Sequence, residues 1–591
     1  MDAKPQVAPE RDEGMADTEG VQVAADLRGI VQAAMTALNV AGAAAAVVHE
    51  DKVLLCDGFG VRDLAHGGAV DDETLFAIGS ATKAFTAMSI AMLAEEGRLD
   101  WDTPVRSYMP DFSLHDEVAS QAVTPRDMAC HRVGLPRHEL SWYKAGLSRA
   151  ELVRRLRYLE LSRPFRTTFQ YQNMMFTTLG YLVERLAGKT WEEFAGERIL
   201  APLGMRRTNF SVHRSQADQN HARPYARRNG ANVEVPFADI DALGPAGAVN
   251  SCARDMARWL RLHLGDGEVD GARLVSQASL QLMHSPQMVI PQTARDERRY
   301  APAYGLGWFT EVYMGKAVVH HGGNIDGFTA MVMLVPEERL GVAVLCNQEM
   351  SALPAAVAYA VVDRVLGLPE RDWPAYLQAE MEKLLTVAHQ GGDYSQQQVQ
   401  GTAPSLGLEG YLGTYEHPAY GSLRIAPGEQ GLAMTYHPWP EPLPLEHFHY
   451  DVFVLHAELE TIPTSWRIPF RLGLDGRVES LEIQFEPTTP PIVFRRLPDA
   501  GTMPRHELSR CLGLYLVAGI QKMRVELKGD AALTLTLEGQ LPYELVPEGQ
   551  GRFGLKGLPG FSVQFDLAPD GTCRGGQVIQ PNGMFPFAPA S

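Results

Sequence analysis

A hundred-residue echo constrains the C-terminal third of this 591-residue chain more tightly than any other feature. "GYLGTY" sets Leu412, Gly413 and Tyr415 in an L-G-x-Y pattern, and "CLGLYL" repeats it at Leu512, Gly513 and Tyr515. "PLPLEH" (Pro442 to His447) is echoed at the same offset, to within a residue or two, by "LPYELV" (Leu541 to Val546). One L-G-x-Y match would carry little. Two echoes at one offset, both inside short alternating runs such as "GSLRIAP" and "LEIQF" separated by Gly, Pro and Asp turns, predict a duplicated strand-rich unit. Units this small must close or stack to cover their strand edges, so we expect two antiparallel barrels or sandwiches joined at "LPDAGTMPRHE".

Upstream, strand and helix patterns alternate. "AGAAAAVVHEDKVLLCDGFG" reads as a hairpin turning at "HEDK", and "TTLGYLVERLAGKTWEEFAGERIL" as helix with Gly188 as a stop. "AVVHHGGNIDGFTAMVMLVPEERLGVAVLCNQ" returns to strands, so an α/β domain is expected whose sheet joins early and late segments. "HQGGDYSQQQVQGTAPS" lacks apolar periodicity and reads as a linker. The predicted organisation is a disordered leader over 1–22, an α/β domain over 23–385, a linker over 386–405, and barrels over 406–498 and 507–591.

The formal charge of −18 argues against nucleic-acid and anionic-membrane partners, which require a surplus of Lys and Arg. No apolar run has the length of a membrane span, and the acidic N-terminus lacks the basic-then-apolar order of a signal peptide. A cytoplasmic protein is expected. Its six scattered cysteines then read as free thiols.

"FAIGSATKAFTAMSIAML" places Ser80 after a turn-forming glycine and before a run of helix formers, with Lys83 one turn on. That spacing sets a base beside a nucleophile. A helix-capping serine is the alternative for Ser80, but Lys83 heads an otherwise lysine-free apolar helix, where a cation is costly unless paired. Ser141 and Lys144 in "SWYK" share the spacing and are followed only by polar residues. Two further segments join the first: "YQN" at Tyr171 to Asn173 and "HGG" at His321 to Gly323, 91 and 150 residues along (80 to 171 to 321). His320 and His321 are adjacent on a strand and point to opposite faces, so only one can line a cleft. His447 and His449 read as a barrel-face pair.

The ordered set S-x-x-K, Y-x-N, H-G-G resembles the serine hydrolases related to class C β-lactamases and penicillin-binding proteins. "CHRVGLPRHEL", "ILAPLGMRRTNF", "GPAGAVNSCARDMARWLRLHL" and "YGLGWF" look like further landmarks of that family, over about residues 25–368. With two C-terminal barrels the architecture resembles the bacterial D-stereospecific aminopeptidases. The resemblance implies an antiparallel sheet flanked by helices, followed by two lipocalin-like barrels. It implies Ser80 as nucleophile and Lys83 with Tyr171 jointly as base. Asn173 would bind the substrate amide and Lys83. The oxyanion hole would be the N–H groups of Ser80 and Asn324, with Gly322 and Gly323 allowing close approach and His321 facing the cleft. No cofactor or metal is required. His321 and Gly322 stand where relatives that read a carboxylate carry Lys and Thr, which favours a substrate with a free amine or a neutral ester. In the D-aminopeptidases a loop of the last barrel meets the substrate ammonium, and Leu545 to Gly557, with Glu548, is the matching candidate. The expected activity is cleavage of short peptides. The alternatives are an esterase, β-lactamase side activity and a non-catalytic scaffold. The barrels would shape the cleft, pair two copies as a homodimer, or both.

Overall fold

The computed structural model describes residues 13–590 apart from 292–295, 391–396, 430, 440, 460–461, 498–504, 530–531, 550, 559–560, 569–570 and 581–582. Its first strands, β1 (Gly42–His49) and β2 (Lys52–Gly60), form the expected hairpin, with Glu50 and Asp51 both at positive φ (48° and 68°) as a tight primed turn demands. They join β3 (Met288–Val289), β4 (Arg299–Tyr304), β5 (Phe309–Tyr313), β6 (Lys316–Ile325), β7 (Phe328–Val335) and β8 (Leu340–Cys346) in one antiparallel sheet ordered β2-β1-β8-β7-β6-β5-β4-β3. The pairing of Ala43 with Cys346 and Val47 with Val342 brings the early and late segments together.

The run "GAAAAVV" is buried on both faces because helices cover both. Ala43, Ala45 and Val47 face a core with helices α1 (Glu13–Leu38), α5 (Leu353–Val365) and α6 (Trp373–Gln390). Ala44, Ala46 and Val48 face the larger core, which holds α2 (Lys83–Glu95), α3 (Asn173–Ala187) and α4 (Ala253–Leu264). Helix α2 is buried from Lys83 to Leu93, as expected of a helix that is apolar all round, and its Phe85 stacks on Trp259 of α4 at 4.0 Å. Helix α3 ends at Gly188 in the left-handed conformation (φ 71°).

Two boundaries differ from expectation. Helix α1 starts at Glu13, inside the segment read as a leader, because Leu27, Val31, Ala34, Met35 and Leu38 form an apolar stripe that docks on the sheet and supports helix upstream. Helix α6 runs to Gln390, into the linker, and the far part of the linker is tied to the first barrel. Gln398 donates to Phe448 O (2.8 Å), and Ser405 Oγ donates to Asp451 (2.7 Å). Among the described residues, no helix is long and apolar enough to cross a membrane.

The C-terminal region is two closed eight-stranded antiparallel barrels, each with sequential strand order. The first runs from Gly413–His417 to Ile492–Arg496, the second from Gly513–Val517 to Gly583–Pro589. The repeat is visible in the register. Tyr415 pairs with Leu423 and Tyr515 with Met523, while Leu445 pairs with Leu455 and Leu545 with Leu555. Both motif tyrosines donate to the carbonyl four residues back, Tyr415 to Tyr411 (2.7 Å) and Tyr515 to Cys511 (3.0 Å). The barrels differ in attachment. The first barrel's interior is continuous with the larger core of the α/β domain, whereas the second has an apolar core of its own.

Candidate active site

Ser80 lies on a 3₁₀ turn, Gly79–Thr82, that runs into α2 at Lys83. Gly79 is at φ 50°, and a Cβ there would fall 2.8 Å from Asn324 N, so the turn and β6 touch through bare backbone. Gly323 is tighter still: its Cβ would meet Ile78 O at 1.8 Å and Ser80 N at 3.1 Å. Gly322 is under no such constraint, its nearest atoms lying at 3.7 Å. Of the two glycines in the H-G-G motif, only the second is sterically required.

Lys83 Nζ is buried and reaches Ser80 Oγ (2.9 Å), Asn173 Oδ1 (2.8 Å) and Ala246 O (2.9 Å). The carbonyl of Ala246 comes from Gly244–Gly247, which α3 approaches closely because Gly180 leaves room for Pro245. Asn173 opens α3, whose first turn is capped by the Gln172 side chain accepting from Met174 N (2.7 Å). Its other amide edge faces Glu139: Nδ2 donates to Glu139 Oε1 (3.2 Å), which also accepts from Arg137 Nε (2.9 Å). Tyr171 is hydrogen-bonded to Ser80, and its ring lies 4.7 Å from Lys83 Nζ.

Burial, reinforced by the Arg137 guanidinium, pushes the Lys83 ammonium well below the usual lysine range. Burial likewise pushes the Tyr171 phenol up, outweighing its bond to Ser80. Desolvation thus favours the neutral form of both groups. His321 is placed differently from expectation. It is buried beneath the cleft, not lining it, with Nε2 2.8 Å from Tyr304 Oη and its ring 6.2 Å from that of Tyr171. Burial and the neighbouring Lys83 keep it neutral. His131, of "CHRVGL", also packs on Tyr171 (ring centroids 4.4 Å apart) and accepts from Gln172 N (3.1 Å). Next to His321 on β6, His320 stacks on Phe309 at 5.6 Å.

Ser80 and Asn173 open onto a cleft of about 640 Å³, including its solvent-open mouth. Its polar wall is Ser80, Asn173, Asn324, Arg137, Glu139, Asp326 and Glu349, and its apolar wall includes Trp142, Ile240, Leu243 and Ile325. Tyr143 donates to Asp326. Sequence reasoning missed Arg137, Glu139 and the Ala246 carbonyl, although all lie in segments that carried the resemblance. Position beside a motif was the available signal for the first two, and a backbone carbonyl offers none. The decoy pair is not brought together: Ser141 Oγ donates to His138 O (2.7 Å), while Lys144 sits over the Tyr143 ring (4.8 Å).

The loop expected from the last barrel is not at this cleft. Val546, Pro547 and Arg552 face the first barrel across a groove with Arg424, Pro427 and Arg496. The Glu548 side chain lies outside the described residues. His447 and His449 are separated by a register shift; His447 Nε2 meets Tyr450 O (2.9 Å) and His449 Nδ1 accepts from Val399 N (3.3 Å). All six cysteines are free thiols.

Residues 27–366 match the family described as Beta-lactamase, and residues 397–496, the first barrel, match a domain of unknown function, DUF3471. The Unguisins hydrolase ungD' of Aspergillus campestris is 30% identical over 495 residues, spanning 78% of this chain and 90% of its own length. Protein flp of Staphylococcus aureus is 24% identical over 324 residues, 54% of this chain and 62% of its own. The octameric penicillin-binding protein homologue from Pyrococcus abyssi shares the fold, with a TM-score of 0.53 at 22% identity over 80% of this chain and 99% of that one. The fold and these relatives define a serine hydrolase. The chain belongs to the beta-lactamase family.

Proposed function

We propose that this hydrolase cleaves amide bonds of short peptides through an acyl-enzyme on Ser80, as a D-stereospecific or similarly non-standard aminopeptidase. The observation that carries the chemistry is the set of partners around Lys83. Asn173 Oδ1 and Ala246 O can only accept, so they take two N–H bonds. In the neutral amine the lone pair is left facing Ser80 Oγ at 2.9 Å, and the serine hydroxyl donates to it.

Lys83 takes the Ser80 proton as Oγ bonds to the substrate carbonyl carbon, and the carbonyl electron pair moves to oxygen. The N–H groups of Ser80 and Asn324 receive that oxyanion. When the carbonyl re-forms, the C–N bond breaks, and the leaving nitrogen takes the Tyr171 proton, which Lys83 replaces. Water then attacks the ester carbonyl and gives a proton to Lys83; as the carbonyl re-forms, the bond to Ser80 Oγ breaks and Lys83 returns that proton to Oγ, releasing the acid and the free serine. Gly322 and Gly323 carry β6 past the nucleophile. His321, bonded to Tyr304, supports the cluster behind Tyr171 rather than touching substrate.

The carboxylates of Glu139, Asp326 and Glu349 on the cleft wall support an amine-bearing substrate, although each also has a cationic neighbour, Arg137, Lys144 and Arg228 at 2.9, 3.8 and 3.8 Å. The name of the A. campestris relative, a hydrolase of unguisins, supports hydrolysis as such. The apolar wall at Trp142, Leu243 and Ile325 favours the second reading, a neutral ester. Release of p-nitroaniline from D-alanine p-nitroanilide against its L-enantiomer, with Ser80→Ala alongside, separates the two. D-selective turnover lost in Ser80→Ala supports the aminopeptidase. Failure on both enantiomers, with p-nitrophenyl butyrate hydrolysed through Ser80, replaces it with the esterase. A cytoplasmic location and a homodimer belong to the same proposal.

A further inference from the structure

The segment from Arg137 to Leu140 alternates between two environments. Arg137 and Glu139 point into the cleft, where Glu139 binds the Asn173 amide whose other edge holds Lys83. His138 and the Leu140 carbonyl face the first barrel. His138 N–H donates to Glu486 Oε2 (3.1 Å), and its Nδ1 lies 2.7 Å from Tyr420 Oη. Leu140 O accepts from Tyr436 Oη (2.7 Å), whose one proton also faces Tyr420 O at 3.0 Å. Nearby, Arg155 donates to Ala419 O (3.2 Å). On the cleft side, Gln172, the cap of α3, donates to the carbonyls of Pro136 and Arg137.

His138 is a non-glycine residue in the left-handed region (φ 47°), a conformation that persists only where the surroundings over-determine it. Here its ring, its N–H and the carbonyl two residues on are each tied to a barrel side chain. His138, Tyr420 and Tyr436 are all buried, so these bonds are shielded from competing water.

We infer that the first barrel is a positioning element of the active site: through Tyr420, Tyr436 and Glu486 it fixes the Arg137–Leu140 strap, and Glu139 on that strap orients Asn173 toward Lys83. This gives the barrel matched by a domain of unknown function a task, and it rests on the serine hydrolase chemistry proposed above. Tyr420, Tyr436, Glu486 and His138 touch no substrate and act through Glu139 and Asn173. A displacement near 1 Å at reacting groups costs about a hundredfold in rate. Loss of one clamp bond, with partial relaxation of the strap, is expected to lower kcat about tenfold.

The test compares three full-length variants, Tyr420→Phe, Tyr436→Phe and Tyr415→Phe. Each deletes one phenolic hydroxyl of the same barrel, but the Tyr415 hydroxyl donates to Tyr411 O inside it and not to the strap. Ester turnover is divided by the number of Ser80 sites titrated with a fluorophosphonate, so that a misfolded fraction does not count, and hydrogen–deuterium exchange is followed in peptides covering 136–143. The expected result is a kcat per titrated site about tenfold lower in Tyr420→Phe and Tyr436→Phe, with KM within about threefold. Exchange over 136–143 is faster in both, and Tyr415→Phe behaves as wild type. Wild-type kcat per site in both clamp variants, or an equal loss in Tyr415→Phe, overturns the inference. Should a clamp variant not fold, Glu486→Gln, which keeps an acceptor for His138 N–H, is predicted to retain activity, and Glu486→Leu to lose it about tenfold; equal activity in that pair overturns the inference as well. Absence of Ser80 labelling in the wild type would instead remove the underlying hydrolase reading.

Discussion

Gly323→Ala tests the contact between β6 and the nucleophile turn. The added Cβ would fall 1.8 Å from Ile78 O and 3.1 Å from Ser80 N, both of them backbone atoms that cannot swing aside. Relieving the first overlap to about 3 Å requires β6 and the turn to separate by roughly 1.2 Å, an overpacking strain of about 1–3 kcal/mol. The same separation pulls Asn324 N away from Ser80 N, the two proposed oxyanion donors. Loss of one such donor costs about 10² to 10³ in rate. The assay is the second-order rate of fluorophosphonate labelling at Ser80, together with hydrolysis of p-nitrophenyl butyrate and a thermal melt. We expect labelling and turnover to fall by about 10² or more, with a melt lowered by a few degrees. Gly322→Ala, with its nearest atoms at 3.7 Å, should stay within about threefold of wild type. A Gly323→Ala enzyme that labels and turns over like wild type would refute the account of this contact.

Further outcomes follow from the same structure. Because burial holds the Lys83 amine below its ordinary range, its free base exists at pH values where an ordinary lysine is charged; activity should be full there and fall as acidification protonates Lys83, while Lys83→Ala loses about 10² to 10⁴ at every pH. His131, His263 and His321 are buried with folded pKa values well below the ordinary 6.5, so the unfolded chain takes up protons first as pH falls. Stability should drop below pH 6.5 by up to about 1.4 kcal/mol per unit for each, and His263→Phe should flatten the dependence of the urea midpoint on pH by one histidine's share. Tyr415→Phe and Tyr515→Phe each remove a buried hydroxyl and with it the bond to the carbonyl four residues back, a loss of about 1 kcal/mol. Since the second barrel has its own core, calorimetry should show the Tyr515 change in a separate transition and the Tyr415 change in the transition shared with the α/β domain.

Local chemistry carried much of this architecture into the sequence. The "HEDK" turn, the Gly188 stop and the hundred-residue echo each reflect a backbone requirement that only certain residues meet, and each appears at its predicted place. Ser80 and Lys83 were legible because their spacing at a helix start is itself the geometry, and Tyr171 and Asn173 through the resemblance that the ordered motifs carry. What was not legible depends on which way a side chain turns and what packs behind it. His321 stands on the expected strand, yet its ring turns beneath the cleft to Tyr304. The Lys83 partner at Ala246 is a carbonyl, which every residue has. Glu139 became part of the site only through Asn173, and its strap is held by tyrosines some 280 to 300 positions away, beyond the reach of periodicity (138 to 420, 140 to 436). The last barrel's hairpin is expected at the cleft by analogy of architecture alone, and its Val546, Pro547 and Arg552 instead line a groove with the first barrel.

The central claim is that Ser80, with Lys83 beside it, is the acylated nucleophile. Intact-mass analysis of the wild type, Ser80→Ala and Ser141→Ala after reaction with a fluorophosphonate, followed by peptide mapping, tests it most directly. The account predicts a single adduct on the peptide containing Ser80 in the wild type and in Ser141→Ala, and no adduct in Ser80→Ala. An unmodified Ser80, or an adduct and ester turnover that persist in Ser80→Ala, would contradict it.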